Sequence, residues 1–509
     1  MEAYDIYESS NEFSAAREQF ETIIGALESE EMMGAQHGDV ERYLFQDGYE
    51  LLRLLLQGYM DRRSANEPLR ETAKGSDGAV RTHRREGCTR QLETIFGEVT
   101  VSRIGYFYPG YESLFPLDAE LNLPPGKYSH GLQELLSNEA AKGAFDEATE
   151  TLEKMTGGHV PKRQAQELCP KMAVDFDAFY VKRSVENPED TEDLLVMSTD
   201  GKGVVMREEA LREATRRAAQ RERGKKKGSR LKPGEKSNRK RMSTVATVYT
   251  VARNERTPED IMNVAQDSET EKRLKDARPV PQNKRVWASL EKPPEEVIDE
   301  MICEAERRDP GHKRQWCVLV DGAEHQLEQI KKLVRRHGVT VMIILDLIHV
   351  LEYLWDAAHC FFKVGDDAAE QWVAERALEI LRGNAGQVAG GIRRKATKLK
   401  LEESKRKNAD KCANYLLKNK KYLRYDKYLA DGLPIATGVI EGACRYLVKD
   451  RMDLTGARWG LDNAEAVLKL RALRVSGDLD EYWHFHRREE YKRQHRSKYA
   501  IYPRLEVLS

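Results

Sequence analysis

Three short apolar runs in this chain each stop at an aspartate. Residues 194–197 lead through Ser198 and Thr199 to Asp200, Trp316–Val320 leads to Asp321, and residues 339–345 lead to Asp346. Such short apolar runs fit strands of a sheet covered on both faces. A strand that ends on a carboxylate delivers that group to the edge of its sheet. At Asp200 and Asp321 the next residue is glycine, whose missing Cβ lets the backbone turn away and leaves room for a ligand. Residues 243–252 (STVATVYTVA) are rich in β-branched side chains and read as a further strand, and residues 285–289 as another. Helical spacing marks 293–308 and 327–336. Strands alternating with helices predict an α/β layer built on a mixed sheet.

A chain of 509 residues exceeds what one core holds, so two to four domains are expected. The expected divisions are an N-terminal helical region (1–86), a β-hairpin plus helix-turn-helix region (87–190) and the first part of the α/β core (191–365). A helical insertion (366–430), the remainder of the core (431–476) and a basic C-terminal tail (477–509) follow. Within 43–59, Leu51, Leu52, Leu55, Leu56 and Tyr59 recur at helical spacing, which suits a packing helix or a dimerisation face. Residues 64–86 are polar and read as a loop. Residues 92–108 read as a strand pair turned at Gly97-Glu98. A helix over 145–155, the turn Gly157-Gly158-His159-Val160-Pro161 and a helix from Lys162 are the parts of a helix-turn-helix. Lys162, Arg163 and Gln164 then open the second helix, where base-reading side chains sit, although a plain three-helix packing unit shows the same pattern. A single helical region is expected over 438–471.

The formal net charge is only −1, so affinity for a polyanion would rest on local patches. One such patch is 207–241, with fifteen lysines and arginines against five acids. That composition cannot bury a core, yet a solvated basic loop neutralises phosphates well. The tail mixes His484, His486, Arg487, Arg488, Lys492, Arg493, Arg496 and Lys498 with Tyr482, Tyr491 and Tyr499. It reads as a grip on DNA backbone or as a solvated terminal helix. Seven cysteines stand singly with no CxxC pair, so neither a disulfide framework nor a structural zinc is expected, and a reducing cytosol is. The start MEAYDIYESS has no basic and apolar leader pattern. The apolar stretch 339–355 carries Asp346, His349 and Glu352, so no membrane span is expected. The phosphate loop GxxxxGK[ST], the dinucleotide fingerprint, the GxSxG elbow and HExxH are all missing from the sequence.

Glu441 lies in the amphipathic stretch GVIEGACRYLVKD, where Ile440, Cys444 and Leu447 would face the core and Glu441 with Arg445 a different side. Two strand-end aspartates and one helical glutamate form an all-oxygen donor set for a pair of divalent ions. In phosphodiester chemistry one ion activates the attacking oxygen and the other stabilises the leaving one. Position alone is a weak signal in a chain with 85 aspartates and glutamates.

The stretches STDGKGV, VLVDGAEHQ, LDLIHVLEYLW and GVIEGACRYLVKDRMDLTGARWG closely resemble insertion-sequence transposases of the ISKra group, relatives of the Mutator-type DDE transposases. The similarity extends through GEVTVSRIGYFYPG and the helix-turn-helix. The resemblance implies an RNase H-like catalytic core whose helical insertion precedes the glutamate helix. It implies Asp200, Asp321 and Glu441 as the three catalytic, metal-holding carboxylates, with two Mg²⁺ (or Mn²⁺) ions per active site. The acids stand about 120 residues apart, which leaves room for such insertions. Asp346-Leu347-Ile348-His349 matches the C/D-x-x-H motif of those relatives and makes His349 a hydrogen-bond donor or proton shuttle near the scissile phosphate. The alternative is a capping aspartate and a packed histidine. Asp346 is also the alternative second carboxylate; Asp321 is preferred for its Asp-Gly context. Arg445, Arg451, Arg458 and Trp459 would contact DNA, the arginines by bidentate phosphate bonds and the tryptophan by stacking. Otherwise Trp459 is core and the arginines pair with Asp450 and Asp453. Glu324, His325 and Gln326 would support Asp321. The implied partners are DNA, as terminal inverted repeats and target, and further copies of the chain, in a prokaryotic cytoplasm near the nucleoid. A repurposed DNA-binding protein and an RNase H-like nuclease without transposition are the alternatives.

Overall fold

A computed structural model describes residues 11–183, 189, 191–222, 238–262, 278–454 and 456–499. The chain divides into two compact units, one of Met1–Lys182 with Gly477–Ser509 and the other of Arg183–Ser476.

The first unit begins with helices Ser14–Leu27, Glu30–Met33 and His37–Ala65. Met60 and Leu56 of the long helix pack on Leu92, Val99 and Val101, while Leu52, Leu55 and Tyr59 stay exposed. The expected loop at 64–86 instead contains β1 (Ala73–Lys74), β2 (Val80–Arg81) and the start of β3 (His83–Thr94). The buried Arg81 guanidinium explains this local order: it donates to Asp77 at 2.6 Å and to the Glu112 carbonyl at 2.9 Å, closing a turn that local propensity does not show. β3 pairs antiparallel with β4 (Gly97–Phe107), and Thr94 faces Gly97, so the hairpin turns at Ile95-Phe96 and not at Gly97-Glu98.

Two helices stand where the helix-turn-helix was expected, Phe145–Met155 and Lys162–Met172. The turn between them is tied to the hairpin tip by the Gly157 amide donating to the Ile95 carbonyl at 2.9 Å. A Cβ at Gly157 would stand 2.5 Å from the Phe96 carbonyl oxygen, so this approach requires glycine. Residues 479–494 form a helix of the same unit rather than a solvated tail. Tyr482, Trp483 and His486 are buried there, and Asp175 accepts from His486 at 2.7 Å and from Arg493 at 2.5 Å. The DNA-grip reading of the tail is therefore corrected for these side chains: burial and ion pairing consume them. Residues 500–509 of the tail lie outside the described residues.

The second unit holds a five-stranded mixed sheet in the order β7-β6-β5-β8-β9. The strands are β5 (Leu194–Val205), β6 (Lys240–Val251), β7 (Gln282–Ser289), β8 (Trp316–Val320) and β9 (Met342–Leu345). β5, β6 and β7 form an antiparallel meander, and β8 and β9 add to β5 in parallel. Residues 194–199 and all of β8 are buried, as strands with helices on both faces must be. Helices Pro294–Arg308 and Glu324–His337 pack on each other, the first also on β5 and β6. Helices Gly438–Ala443 and Leu461–Ser476 cover β5, β6 and β7. The single helix expected over 438–471 is thus broken near 453–460, where Trp459 bridges to Met206 beside β5. The segment 366–430 is helical as expected, with helices Asp367–Leu381, Ala385–Lys398, Glu403–Lys418 and Tyr425–Ala430. Of the basic segment 207–241, residues 223–237 lie outside the described residues. No helix among the described residues is long and apolar enough to cross a membrane.

Candidate active site

Strand register brings the first two aspartates together. Ser198 pairs with Leu319 in the parallel β5–β8 ladder, so two residues further on Asp200 stands level with Asp321. Neighbouring strands lie about 4.8 Å apart. Val320 pairs with Leu345, which places Asp346 level with both. β5 does not end at Asp200 as expected. It runs on to Val205 against β6, while its β8 side becomes free just before Asp200. Asp200 therefore sits where one edge of a central strand opens.

Each carboxylate is held differently. Asp200 Oδ1 accepts from the Gly201 amide at 2.6 Å and Oδ2 from the Cys444 thiol at 3.3 Å. Asp321 Oδ1 accepts from the Ala323 amide at 2.7 Å, while its carbonyl receives the Tyr415 hydroxyl at 2.9 Å. Gly322 has φ +88° and lies against that same tyrosine. Asp346 is 0% exposed. Its Oδ1 accepts from the Ile348 amide at 3.1 Å and the Thr437 amide at 3.2 Å, and its Oδ2 from the Thr437 hydroxyl at 2.5 Å. Asp346 is thus a helix cap that also holds the entry to the glutamate helix, whereas Asp321 is only partly buried and its side chain accepts one amide.

Glu441 is exposed in the first turn of helix Gly438–Ala443. Thr437 carries Asp346 on its side chain and accepts the Glu441 amide at 3.1 Å, so the β9 end and the glutamate share one anchor. Three residues after Glu441, and so on a neighbouring part of the same helix surface, Cys444 touches Asp200. Burial, then Asp200, pushes the Cys444 thiol up, so it stays a donor. From Cys444 to Lys449 the helix widens to π geometry, which recurs at functional sites. Arg471 braces that turn by donating to the Leu447 carbonyl at 2.8 Å; burial and then Arg451 pull its own pKa down to about 10.

The electrostatics favour a cation. Among the described residues none of Asp200, Asp321 and Glu441 is in an ion pair. Burial, then Asp346, pushes the Glu441 carboxyl above its usual range, and His349 pulls against them. His349 Nδ1 lies 2.9 Å from Glu352. Burial lowers its pKa, but the bond to Glu352 and the nearby Asp346 and Asp321 outweigh burial, so the net shift is upward. The three carboxylates do not all close to within 4.8 Å of one another. That spacing is too wide for one ion. The all-oxygen donor set fits hard cations such as Mg²⁺ or Mn²⁺.

Other expected site residues separate into two groups. Arg445 and Arg458 are exposed, Arg445 lying 4.0 Å from Asp450. Arg451 and Trp459 are 2% and 7% exposed, with the guanidinium 4.8 Å from the indole centroid and Trp459 Nε1 donating to the Met452 carbonyl. Their expected DNA contact is corrected: both are packed inside, and they hold the segment after the glutamate helix. Gln326 donates to the Thr199 carbonyl at 2.7 Å, next to Asp200, whereas Glu324 pairs with Lys418 and His325 with Gln329. In the first unit Lys162, Arg163 and Gln164 are all exposed; Lys162 reaches Asp146 at 2.6 Å and Arg163 reaches Glu167 at 3.0 Å.

Sequence reasoning passed over Cys444 as a partner of Asp200, Thr437 as the tie to Asp346, and Tyr415 as the brace on Asp321. Only Thr437 carries a local signal, a threonine just before a helix start. Compared with known proteins, the chain matches no family model and no curated sequence.

Proposed function

We propose that the chain is the transposase of a prokaryotic insertion sequence, which cleaves and joins DNA strands at Asp200, Asp321 and Glu441. The observation that carries this reading is the juxtaposition of the three acids. Two aspartates stand level on adjacent parallel strands, and the glutamate helix is held against the first through Cys444. An RNase H-like core asks for such a sheet, with a helical insertion between its last strand and the glutamate helix, and residues 367–430 occupy that interval.

Asp200, Asp321 and Glu441 would hold two Mg²⁺ ions, which when bound supply charge stabilisation to the attacking and leaving oxygens. The protein's own part is to keep three unpaired carboxylates in place and to position DNA. His349, with its raised pKa and its Glu352 partner, donates a hydrogen bond or proton to a phosphate oxygen. Arg445 and Arg458 are exposed for backbone contact beyond the glutamate. Lys162, Arg163 and Gln164 read the element ends from the start of the second helix of the helix-turn-helix. Two ends must be held at once, so a homo-oligomer assembles on the terminal repeats and target DNA.

The test is a strand-transfer assay with Mg²⁺ on DNA carrying the sequences that flank the gene. Asp200→Asn, Asp321→Asn and Glu441→Gln should each abolish joined product while end binding survives. Joined product from Asp321→Asn sinks the proposed site. Cleavage without joining by the wild type points to a nuclease.

A further inference from the structure

A second cluster of ligand-type side chains lies away from the three acids. Helices Pro294–Arg308 and Glu324–His337 pack together on either side of β8 in the chain order. Asp299, Cys303 and Glu306 recur at i, i+4 and i+7 on the first helix and share one face. His337, the last residue of the second helix, meets that face. Its Nε2 lies 2.8 Å from Asp299 Oδ1 and its Nδ1 3.0 Å from Glu306 Oε2. Asp299, Cys303 and His337 are the one trio among the described residues whose ligand atoms all lie within 4.8 Å of one another.

We propose that Asp299, Cys303 and His337 bind a zinc-class divalent ion, with Glu306 orienting the imidazole. A clamp of one imidazolium between two carboxylates accounts for His337, Asp299 and Glu306. It gives no role to the thiol that completes the ring. The donor set of one sulfur, one nitrogen and one carboxylate oxygen suits Zn²⁺ or Co²⁺ and not Mg²⁺, which prefers oxygen alone. The Nδ1 contact to Glu306 is the carboxylate–histidine pairing that fixes the ring of a metal-bound histidine.

Burial, then Asp299, Glu306 and Glu300, pushes the free thiol up. A thiol and an imidazole ligate an ion in deprotonated form, so binding at Cys303 and His337 tightens as pH rises. Arg336 also pairs there, 3.8 Å from Asp299, through a side chain that is 66% exposed. Cys303 is exposed, so an ion can enter, and water completes the coordination. The ion would staple together the two helices that flank β8, the strand that delivers Asp321.

The experiment is a Co²⁺ titration of the metal-free full chain, followed by the thiolate-to-cobalt charge-transfer absorption. The wild type should develop the band with one equivalent. Cys303→Ser should lose it, and Glu306→Gln should weaken Co²⁺ binding by about 10–100-fold. Cys444→Ser, at the thiol beside Asp200, should keep the band. Melting of the metal-free Cys303→Ser chain should match the wild type, and added Zn²⁺ should raise the melting temperature of the wild type more than that of the variant. No band in the wild type, or a band that survives Cys303→Ser, overturns the proposal.

Discussion

Replacing Asp346 by alanine separates an aspartate that builds the site from one that works in it. Asp346 is wholly buried and accepts three hydrogen bonds, from the amides of Ile348 and Thr437 and the hydroxyl of Thr437. Losing the cap on helix Leu347–Ala358 costs about 1 kcal/mol. Leaving the two Thr437 donors unmet in the interior costs about 1–3 kcal/mol each, less what hydroxyl rotation recovers. The sum is about 3–5 kcal/mol, which lowers the melting temperature by about 5–8 °C for a unit of this size. Asp321 is only partly buried, and its side chain accepts one amide, so Asp321→Ala should melt within about 2 °C of the wild type. Thermal unfolding followed by circular dichroism, without divalent metal, compares the two. DNA cleavage should fail in both, for different reasons. If Asp346→Ala melts like the wild type and still loses cleavage, Asp346 is itself a ligand and the reasoning fails.

Two further outcomes follow from particular contacts. Glu304 is buried and takes bonds from Arg285 at 2.7 Å, Arg307 at 2.5 Å and Arg308 at 2.7 Å, so Glu304→Gln should destabilise the chain by about 3–5 kcal/mol, measured by denaturant unfolding. Burial raises its pKa, but the three arginines more than reverse this and hold it well below the usual carboxylate range. Its contribution is therefore present above the unfolded pKa of about 4.3 and is lost as pH falls below that, so the acid limb of the stability curve should be shallower in Glu304→Gln. Lys162→Ala and Arg163→Ala should weaken end binding alike on all sequences and each reduce the salt slope by about 1, whereas Gln164→Ala should relax sequence preference, as read by binding titrations at several salt concentrations.

Much of the second unit was legible because buried strands announce themselves. Trp316–Val320 was bounded to the residue, and the runs before Asp200 and Asp346 marked β5 and β9. The extension of β5 to Val205 was hidden by Gly201 and Gly203, which lower strand propensity. Pairing with residues 240–246 of β6 overrides that preference. Ile440, Cys444 and Leu447 were placed on a buried face by period alone, and they are buried. That the Cys444 thiol reaches Asp200 depends on how the helix lies across β5, which no local pattern carries. The same holds for Arg451 and Trp459. An arginine beside a tryptophan reads equally as a DNA contact or as a packed pair, and only tertiary burial decides. The pairing of His486 and Arg493 was missed because it depends on Asp175, some three hundred residues earlier in the chain.

The central claim is that three carboxylates share a pair of hard cations, and Mn²⁺ binding to the full chain tests it most directly. The account predicts that Mn²⁺, followed by its electron paramagnetic resonance signal on a Cys303→Ser background, binds at the three acids. That binding should disappear in the Asp200→Asn, Asp321→Asn, Glu441→Gln triple variant with its fold intact. Equal Mn²⁺ binding by the two proteins would contradict it.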